Sequence, residues 1–325
     1  MKTRWLAGRQ VGAIGLGCMS FGGMYGGSDE ETSRACLARA VEQGIDHWDV
    51  AEIYGAGECE AIIGRFLADH PVDVSIATKA GIYPDKDRPW RNDADSLRAS
   101  LEGSLTRLGQ SSVALFYVHR RDPAISIETV METLLGFQTE GLIGAIGFSE
   151  IAPASLRRAA KLGPVAAVQS EYSLWTRQPE LGMLRACADL GAAFVAFSPV
   201  GRGMLSDCVP EPAGFAERDI RQRMPRFQAP AFEANAAAIA PFRAWCGERG
   251  WATAAVAMAW LLAQAPHVLP IPGTRSATHL DELAAGAAID LSADDLDQID
   301  VLLPPGFAEG DRYTPAQYGA VERYC

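Results

Sequence analysis

IDHWDVAEIYGAGECEAIIGRFLADHPVDVSIATK, residues 45–79, sets the rhythm of the whole chain. It opens on a short apolar run, Ile45–Asp49, that ends on an acid. An amphipathic segment at 58–69 follows, and then a second apolar run, Val74–Thr78, ends against Lys79. A short buried strand, a helix and another buried strand make one unit of a parallel sheet, because strands covered on both faces read as continuous apolar runs. Outward from it, the apolar runs are Val11–Leu16, Val113–Val118, Ile143–Phe148, Val165–Gln169, Ala193–Phe197 and Val268–Ile271. Helical patterns occupy 94–108, 126–140, 153–162, 178–190, 231–265 and 277–286. Ser28 and Glu31 form a capping-box pattern that predicts a first helix running to about Gln43 and stopped by Gly44. Eight strands separated by helices predict closure into a (β/α)8 TIM barrel rather than an open sheet.

Length and composition agree with one large core. The 325 residues are expected to form one barrel domain, 1–325, with 304–325 a C-terminal tail near the substrate mouth. The apolar fraction is 48% and the charged fraction 21%, ordinary for a globular chain. The formal net charge of −11 argues against a nucleic-acid groove and against an anionic membrane surface. Seven cysteines at scattered positions, with no CxxC pair, fit free thiols in a reducing cytoplasm. Met1-Lys2-Thr3-Arg4-Trp5 is not followed by the apolar run of a signal peptide, and no stretch has the length of a membrane span. Cytoplasmic localisation is the expectation. The segment 201–230 and the tail from Leu303 break the rhythm, and long βα loops are where barrels carry function.

Polar residues fall where the strands end. Asp49, Lys79, His119, Ser149 with Glu150, Gln169, and Phe197-Ser198 close successive runs, and Thr274-Arg275 follow the last. The C-terminal strand ends form one face of a barrel, so these residues should converge there. Tyr54 lies one loop beyond Asp49. A tyrosine can protonate a carbonyl oxygen if a neighbouring cation draws its pKa from about 10 toward neutral. Lys79 is the cation, Asp49 the carboxylate that holds it, and His119 the group that orients the carbonyl oxygen or relays a proton. Each residue alone has an ordinary structural explanation, as a cap, a rim charge or loop packing. Their joint spacing on successive strand ends favours a carbonyl-reducing site that needs no metal.

The segments resemble those of the aldo-keto reductase family, in family order over about residues 10 to 300. Trp48-Asp49-Val50-Ala51-Glu52-Ile53-Tyr54-Gly55 is similar to its tyrosine motif, Ala77-Thr78-Lys79 to its lysine strand, and Tyr117-Val118-His119-Arg120 to its histidine strand. Ile146–Glu150 and Val168–Tyr172 look like its nicotinamide-binding segments, Phe197–Gly203 like its pyrophosphate loop, and Pro270–Arg275 like its closing phosphate segment. The resemblance implies catalytic Tyr54, Lys79, Asp49 and His119, and NADP bound across the mouth, with NAD possible. It implies a carboxamide held by Ser149, Gln169 and Glu150, and Phe197 stacked on the nicotinamide. Ser198 and the backbone at Gly201 and Gly203 would meet the pyrophosphate, with Thr274, Arg275 and His279 at the adenosine end. The reaction implied is reduction of an aldehyde or ketone to an alcohol, or its reverse. Glu150 replaces a commoner asparagine, His279 an arginine and Leu283 an asparagine, which weakens the preference for NADP. Tyr25, Trp90, Trp175 and Arg120 are expected at the substrate pocket, with Phe227 and Tyr313 as further aromatic candidates. Arg120 can swing over the mouth to bind a substrate carboxylate or hydroxyl, or pair with an acid such as Glu52 or Asp122 to brace the loop; the brace is the favoured expectation.

Other classes fit less well. Gly15-Leu16-Gly17 begins a dinucleotide fingerprint, but Ser20 stands where its third glycine belongs. Five histidines without an HxH or HExxH pattern give no metal centre. Gly147-Phe148-Ser149 lacks the second glycine of a nucleophile elbow. A cofactor-sensing binding protein resembling potassium-channel β subunits remains the alternative, since that group shares the fold and the tetrad.

Overall fold

The computed structural model describes residues 2–324; Met1 and Cys325, the last of the seven cysteines, lie outside the described residues. Strands β1 (Thr3–Leu6) and β2 (Arg9–Gly12) pair as an antiparallel hairpin. The parallel strands are β3 (Leu16–Gly17), β4 (His47–Asp49), β5 (Ser75–Ala80), β6 (Leu115–Val118), β7 (Ile146–Ser149), β8 (Ala167–Glu171), β9 (Ala193–Phe197) and β10 (Val268–Pro270). Each pairs with its sequence neighbour. A parallel bridge from Gly17 to Gly273 and the bonds Gly15 N–H to Pro270 O, 3.0 Å, and Gly17 N–H to Pro272 O, 2.9 Å, close the ring. The architecture is an α/β (β/α)8 barrel.

Helices α1 (Glu30–Glu42), α2 (Glu58–Asp69), α3 (Ala94–Leu108), α4 (Ile127–Thr139), α5 (Pro153–Ala159) and α6 (Met183–Leu190) cover the first part of the ring. Helices α7 (Ala231–Glu248), α8 (Thr253–Gln264), α9 (Ala277–Ala285) and α10 (Ala293–Leu302) complete it. None is long and apolar enough to cross a membrane among the described residues.

Five sequence expectations need correction. Val11–Leu16 is not one strand: Val11 belongs to the hairpin, and only Leu16–Gly17 joins the ring. The cap of α1 is Asp29, whose carboxylate accepts from Thr32 N–H at 2.7 Å, instead of Ser28. The stretch 231–265 is two helices, parted where Gly250 takes φ +68°. The stretch 178–190 is a 3-10 turn, Gln178–Leu181, and then α6, parted at Gly182 with φ +134°. Helix α10 was not expected, although its capping box joins Ser292 and Asp295.

Alternation along the strands divides the molecule into two apolar regions. Odd-numbered positions point inward: Ala77, Leu115, Tyr117, Ala167, Ala193, Val195 and Leu269 fill the barrel, plugged from below by Leu6 and Val11 of the hairpin. Their even-numbered neighbours face the helices. Trp48 meets Phe66 of α2 edge-on at 5.8 Å, and Thr78 donates to Glu60 of α2 at 2.5 Å. Tyr117 is too large for the interior unless a neighbour yields. Gly147 yields: a Cβ there would lie 2.4 Å from the Tyr117 ring. With the lower barrel packed by apolar groups, Asp49, Lys79 and Gln169 on the upper strand ends form a polar layer.

Candidate active site

Lys79 lies on β5 with its side chain wholly buried and donates to a carboxylate oxygen of Asp49 at the end of β4. It also donates to Val50 O at 2.9 Å. The second Asp49 oxygen accepts from Gln169 Nε2 of β8 at 2.7 Å. Only the amide NH2 can donate to a carboxylate, so Gln169 Oε1 is left free to accept another donor. Asp49 is thereby fixed from two sides and Lys79 is aimed upward, its Nζ 5.1 Å from the centroid of the Tyr54 ring.

Tyr54 begins a short 3-10 turn after β4. Two glycines hold this turn against the Gly-rich loop. A Cβ on Gly22 would stand 2.6 Å from Gly55 N, and Gly55 itself takes φ +59°, a conformation that favours glycine. The Tyr54 ring meets His119 edge-on, centroids 5.7 Å apart. The four residues expected to act together are therefore neighbours.

The electrostatics differ from the sequence expectation at Tyr54. Burial pushes its phenol pKa up, the Asp49 charge adds to the rise, and Arg120 opposes it. The expected drop toward neutral is not found, because burial and the Asp49 charge outweigh the opposing pull of the neighbouring cation Arg120. Burial lowers the Lys79 pKa, and Asp49 counters that effect. Burial also pushes the His119 imidazole well below its ordinary value, with Arg120 and Lys79 adding to the effect. Near pH 7 the site holds a neutral phenol and a neutral imidazole above a buried ion pair.

The residues expected to hold a cofactor form two groups. Ser149 and Gln169 stand opposite each other in the β7–β8 register, with Phe197 at the end of β9. Ser149 Oγ accepts from Arg120 Nη1 at 2.9 Å, which leaves its own hydroxyl proton free to point elsewhere. Ser198, Gly201 and Gly203 all take positive φ, at 50°, 56° and 103°, so the loop after β9 is wound tightly. The second group lies across the mouth. Arg275, Ser276 and Ala277 line an open cavity of about 460 Å³ together with Glu31, Thr32 and Ala35 of α1. Thr274 Oγ1 accepts from Ser276 N–H at 3.0 Å, and His279 is exposed in the first turn of α9. Arg275 Nη1 donates to Gly26 O at 3.0 Å and Tyr25 O at 3.3 Å, tying the cavity to the Gly-rich loop.

Glu150 stands apart from both groups. Both of its carboxylate oxygens are taken by Arg312 of the tail, one at 2.7 Å, and Oε1 also accepts from Glu171 N–H at 3.0 Å. Burial alone would raise this carboxyl, but Arg312 overrides it and holds the pKa below the ordinary range. Glu171 in turn pairs with Arg202 at 3.1 Å. Glu322 accepts from Ala152 N–H at 2.9 Å, fastening the tail a second time. Arg202, Glu171 and Arg312 were not singled out in the sequence. Arg312 and Glu150 are 162 positions apart, and no local pattern marks such a pair.

Glu150→Gln is expected to lower unfolding stability by about 3 kcal/mol, because it leaves the buried Arg312 guanidinium with Glu171 alone, at 3.8 Å and already paired with Arg202. The depressed pKa sets the sign with pH. The contribution is present above the ordinary glutamate pKa of about 4.3 and is lost as the pH falls through the lower folded value. Urea unfolding at neutral pH checks this, and an unchanged midpoint would remove the pair from the account of stability.

The expected pocket residues separate. Tyr25 is half-buried, and its hydroxyl accepts from Arg202 Nη1 at 3.2 Å. Trp90 packs against the tail, where a Cβ on Gly319 would be 2.4 Å from its ring. Trp175 is buried edge-on against Phe227 at 5.5 Å and beneath Arg226 at 4.9 Å, so both rings support the 201–230 loop from inside. Arg120 makes no pair with Glu52 or Asp122. It donates to His119 O at 2.6 Å and to Ser149, and reaches Tyr313 Oη at 3.4 Å. Both acids are engaged elsewhere: Arg107 approaches Glu52 at 3.8 Å, and Asp122 accepts from Ala124 N–H at 2.9 Å.

The chain as a whole is similar to known proteins. The family model described as aldo/keto reductase matches residues 13–304. An NADP(+)-designated aldo-keto reductase of Schizosaccharomyces pombe is 34% identical over 97% of this chain and 95% of its own length. A glycerol dehydrogenase from Gluconobacter oxydans superposes with a TM-score of 0.85 at 26% identity, covering 96% of this chain and 98% of the other. An aldo/keto reductase from Klebsiella pneumoniae, solved with NADP and acetate, shares the fold with a TM-score of 0.75 at 24% identity over 96% and 99% of the two chains.

Proposed function

This chain belongs to the aldo/keto reductase family, and from that premise we propose that it reduces an aldehyde or ketone to the alcohol, or runs the reverse oxidation, with NADPH as cofactor and Tyr54 as general acid. The observation that carries the reading is the convergence of Tyr54, Lys79, Asp49 and His119 on one barrel mouth. The cofactor, when bound, supplies or receives the hydride. In reduction, Tyr54 Oη would give its proton to the carbonyl oxygen of the substrate. Its raised pKa keeps the phenol protonated at neutral pH, and Lys79 and Arg120 stand close enough to stabilise the phenolate it leaves. His119, neutral, can orient the carbonyl oxygen without competing as a charge. Asp49 holds Lys79 in place.

The side chains fit a nicotinamide cofactor. Ser149 has a hydroxyl proton and Gln169 a carbonyl oxygen unspent, the donor and acceptor that a carboxamide requires. Phe197 can present a ring face, and the positive-φ backbone at Ser198, Gly201 and Gly203 allows close approach by a pyrophosphate. Thr274, Arg275 and His279 take the adenosine end, and Tyr25 and Trp90 border the substrate. Glu150, engaged by Arg312, braces the tail in this reading.

Arg275 carries the NADP preference, since a guanidinium donates in pairs to a 2′-phosphate. Glu31 in the same cavity works against it. Arg275→Ala is expected to weaken NADPH binding by about tenfold to a hundredfold, and NADH binding less. Fluorescence titration of both cofactors decides, because equal weakening marks Arg275 as a brace of the Gly-rich loop only. Turnover of a panel of aldehydes and ketones with NADPH tests the reaction itself. Tight cofactor binding without any turnover would overturn it in favour of a cofactor-sensing protein.

A further inference from the structure

The mouth collects more positive charge than the chain neutralises. Four guanidinium groups, those of Arg120, Arg202, Arg226 and Arg312, surround the buried carboxylates of Glu150 and Glu171. Arg202 is matched by Glu171 and Arg312 by Glu150. Arg226 spends its donors on structure: Trp175 O and Thr176 Oγ1, both at 2.8 Å, and Gly310 O at 3.1 Å. Arg120 is different. Among the described residues it forms no ion pair, and its partners are the neutral oxygens of His119, Ser149 and Tyr313. Its Nε makes no hydrogen bond among the described residues, and the residue is half-buried. The Nε–Nη2 edge of a guanidinium is the fork that a carboxylate bridges with two parallel bonds.

Position adds to chemistry. Arg120 follows His119, whose ring meets Tyr54 at 5.7 Å, and its charge acts on the Tyr54 phenol, which places the guanidinium beside the candidate site. The protein as a whole carries −11 and repels anions at long range, which makes a local cation at the mouth the more pointed.

We propose that Arg120 is an anion subsite, and that the substrate is a carbonyl compound bearing a carboxylate, received by the Nε–Nη2 edge of Arg120 and the hydroxyl of Tyr313 while its carbonyl oxygen meets Tyr54. The inference rests on the carbonyl-reductase reading above. A planar fork prefers carboxylate geometry, so lysine serves this position less well.

The test uses two matched pairs with NADPH: para-formylbenzoate and its methyl ester, and pyruvate and methyl pyruvate. In the wild-type protein kcat/KM is expected to favour the acids. In Arg120→Met the acid-to-ester ratio should fall about thirtyfold or more, mainly through KM, with part restored in Arg120→Lys. A measurement that needs no variant accompanies it: benzoate should compete with the ester substrate in the wild type far better than benzamide does. An unchanged acid-to-ester ratio in Arg120→Met overturns the proposal. So does a wild-type enzyme indifferent to both the charge of its substrate and that of its inhibitor. If the esters are turned over, the carbonyl-reductase reading stands in either case. If no carbonyl compound is turned over, that reading falls and takes this inference with it.

Discussion

Tyr54→Phe is expected to lower kcat by about a hundredfold or more while the dissociation constant for NADPH stays within about twofold. The substitution removes one oxygen and keeps the ring, so the edge-on contact with His119 and the packing over Lys79 survive. None of the hydrogen bonds that position Lys79, Asp49, Gln169 and Ser149 uses the Tyr54 hydroxyl, so stability should not change. Loss of kcat with intact cofactor binding is the signature of a group that acts in the transition state alone. The pKa direction adds a second readout. Because burial raises the phenol, the acid form persists from about pH 6 to pH 9, and reduction should be level across that range. A phenol drawn down to neutral would instead lose activity steadily as the pH rose past 7. Wild-type turnover in Tyr54→Phe would pass the proton-donor role to His119.

Lys79→Met should cost both activity and stability. It leaves Asp49 charged and almost wholly buried, with Gln169 its remaining side-chain partner. Breaking a buried pair on one side costs about 3–5 kcal/mol, because the surviving charge is neither solvated nor matched. Activity should fall by about a hundredfold, since the phenolate formed by proton transfer loses the nearest ammonium. The double variant Asp49→Asn with Lys79→Met separates the two effects. Removing the orphaned charge should return most of the stability, measured by urea unfolding, without returning turnover. Wild-type kcat in Lys79→Met would show that the pair is a structural ion pair only.

Several site residues could be read from the chain because strand ends are local features. An apolar run that stops on Asp49, Lys79, Ser149 or Gln169 announces a buried strand with a polar group at its rim, and the barrel rule brings the rims together. The pKa of Tyr54 could not be read that way. Naming Lys79 as its neighbour was sufficient for the contact but not for the sign, which depends on how dry the ring is and on the Asp49 charge near it. The capping box of Ser292 and Asp295 is a local signal in the chain, whereas the division of 231–265 is concealed by alanine-rich helix pattern on both sides of Gly250.

By itself, the sequence determined the alternation of buried strands with helices and the closure into eight, since each follows from periodicity over a few residues; the terminal hairpin and helix α10 lay outside that pattern. The tertiary structure alone decided what the arginines do. Glu150 became the partner of Arg312, Arg202 the partner of Glu171, and Arg120 was left with neutral oxygens, although all three arginines look alike in the chain. The physical reason is that Coulomb interactions depend on distance and local dielectric, and the tail carrying Arg312 meets the strand carrying Glu150 only after the barrel has closed.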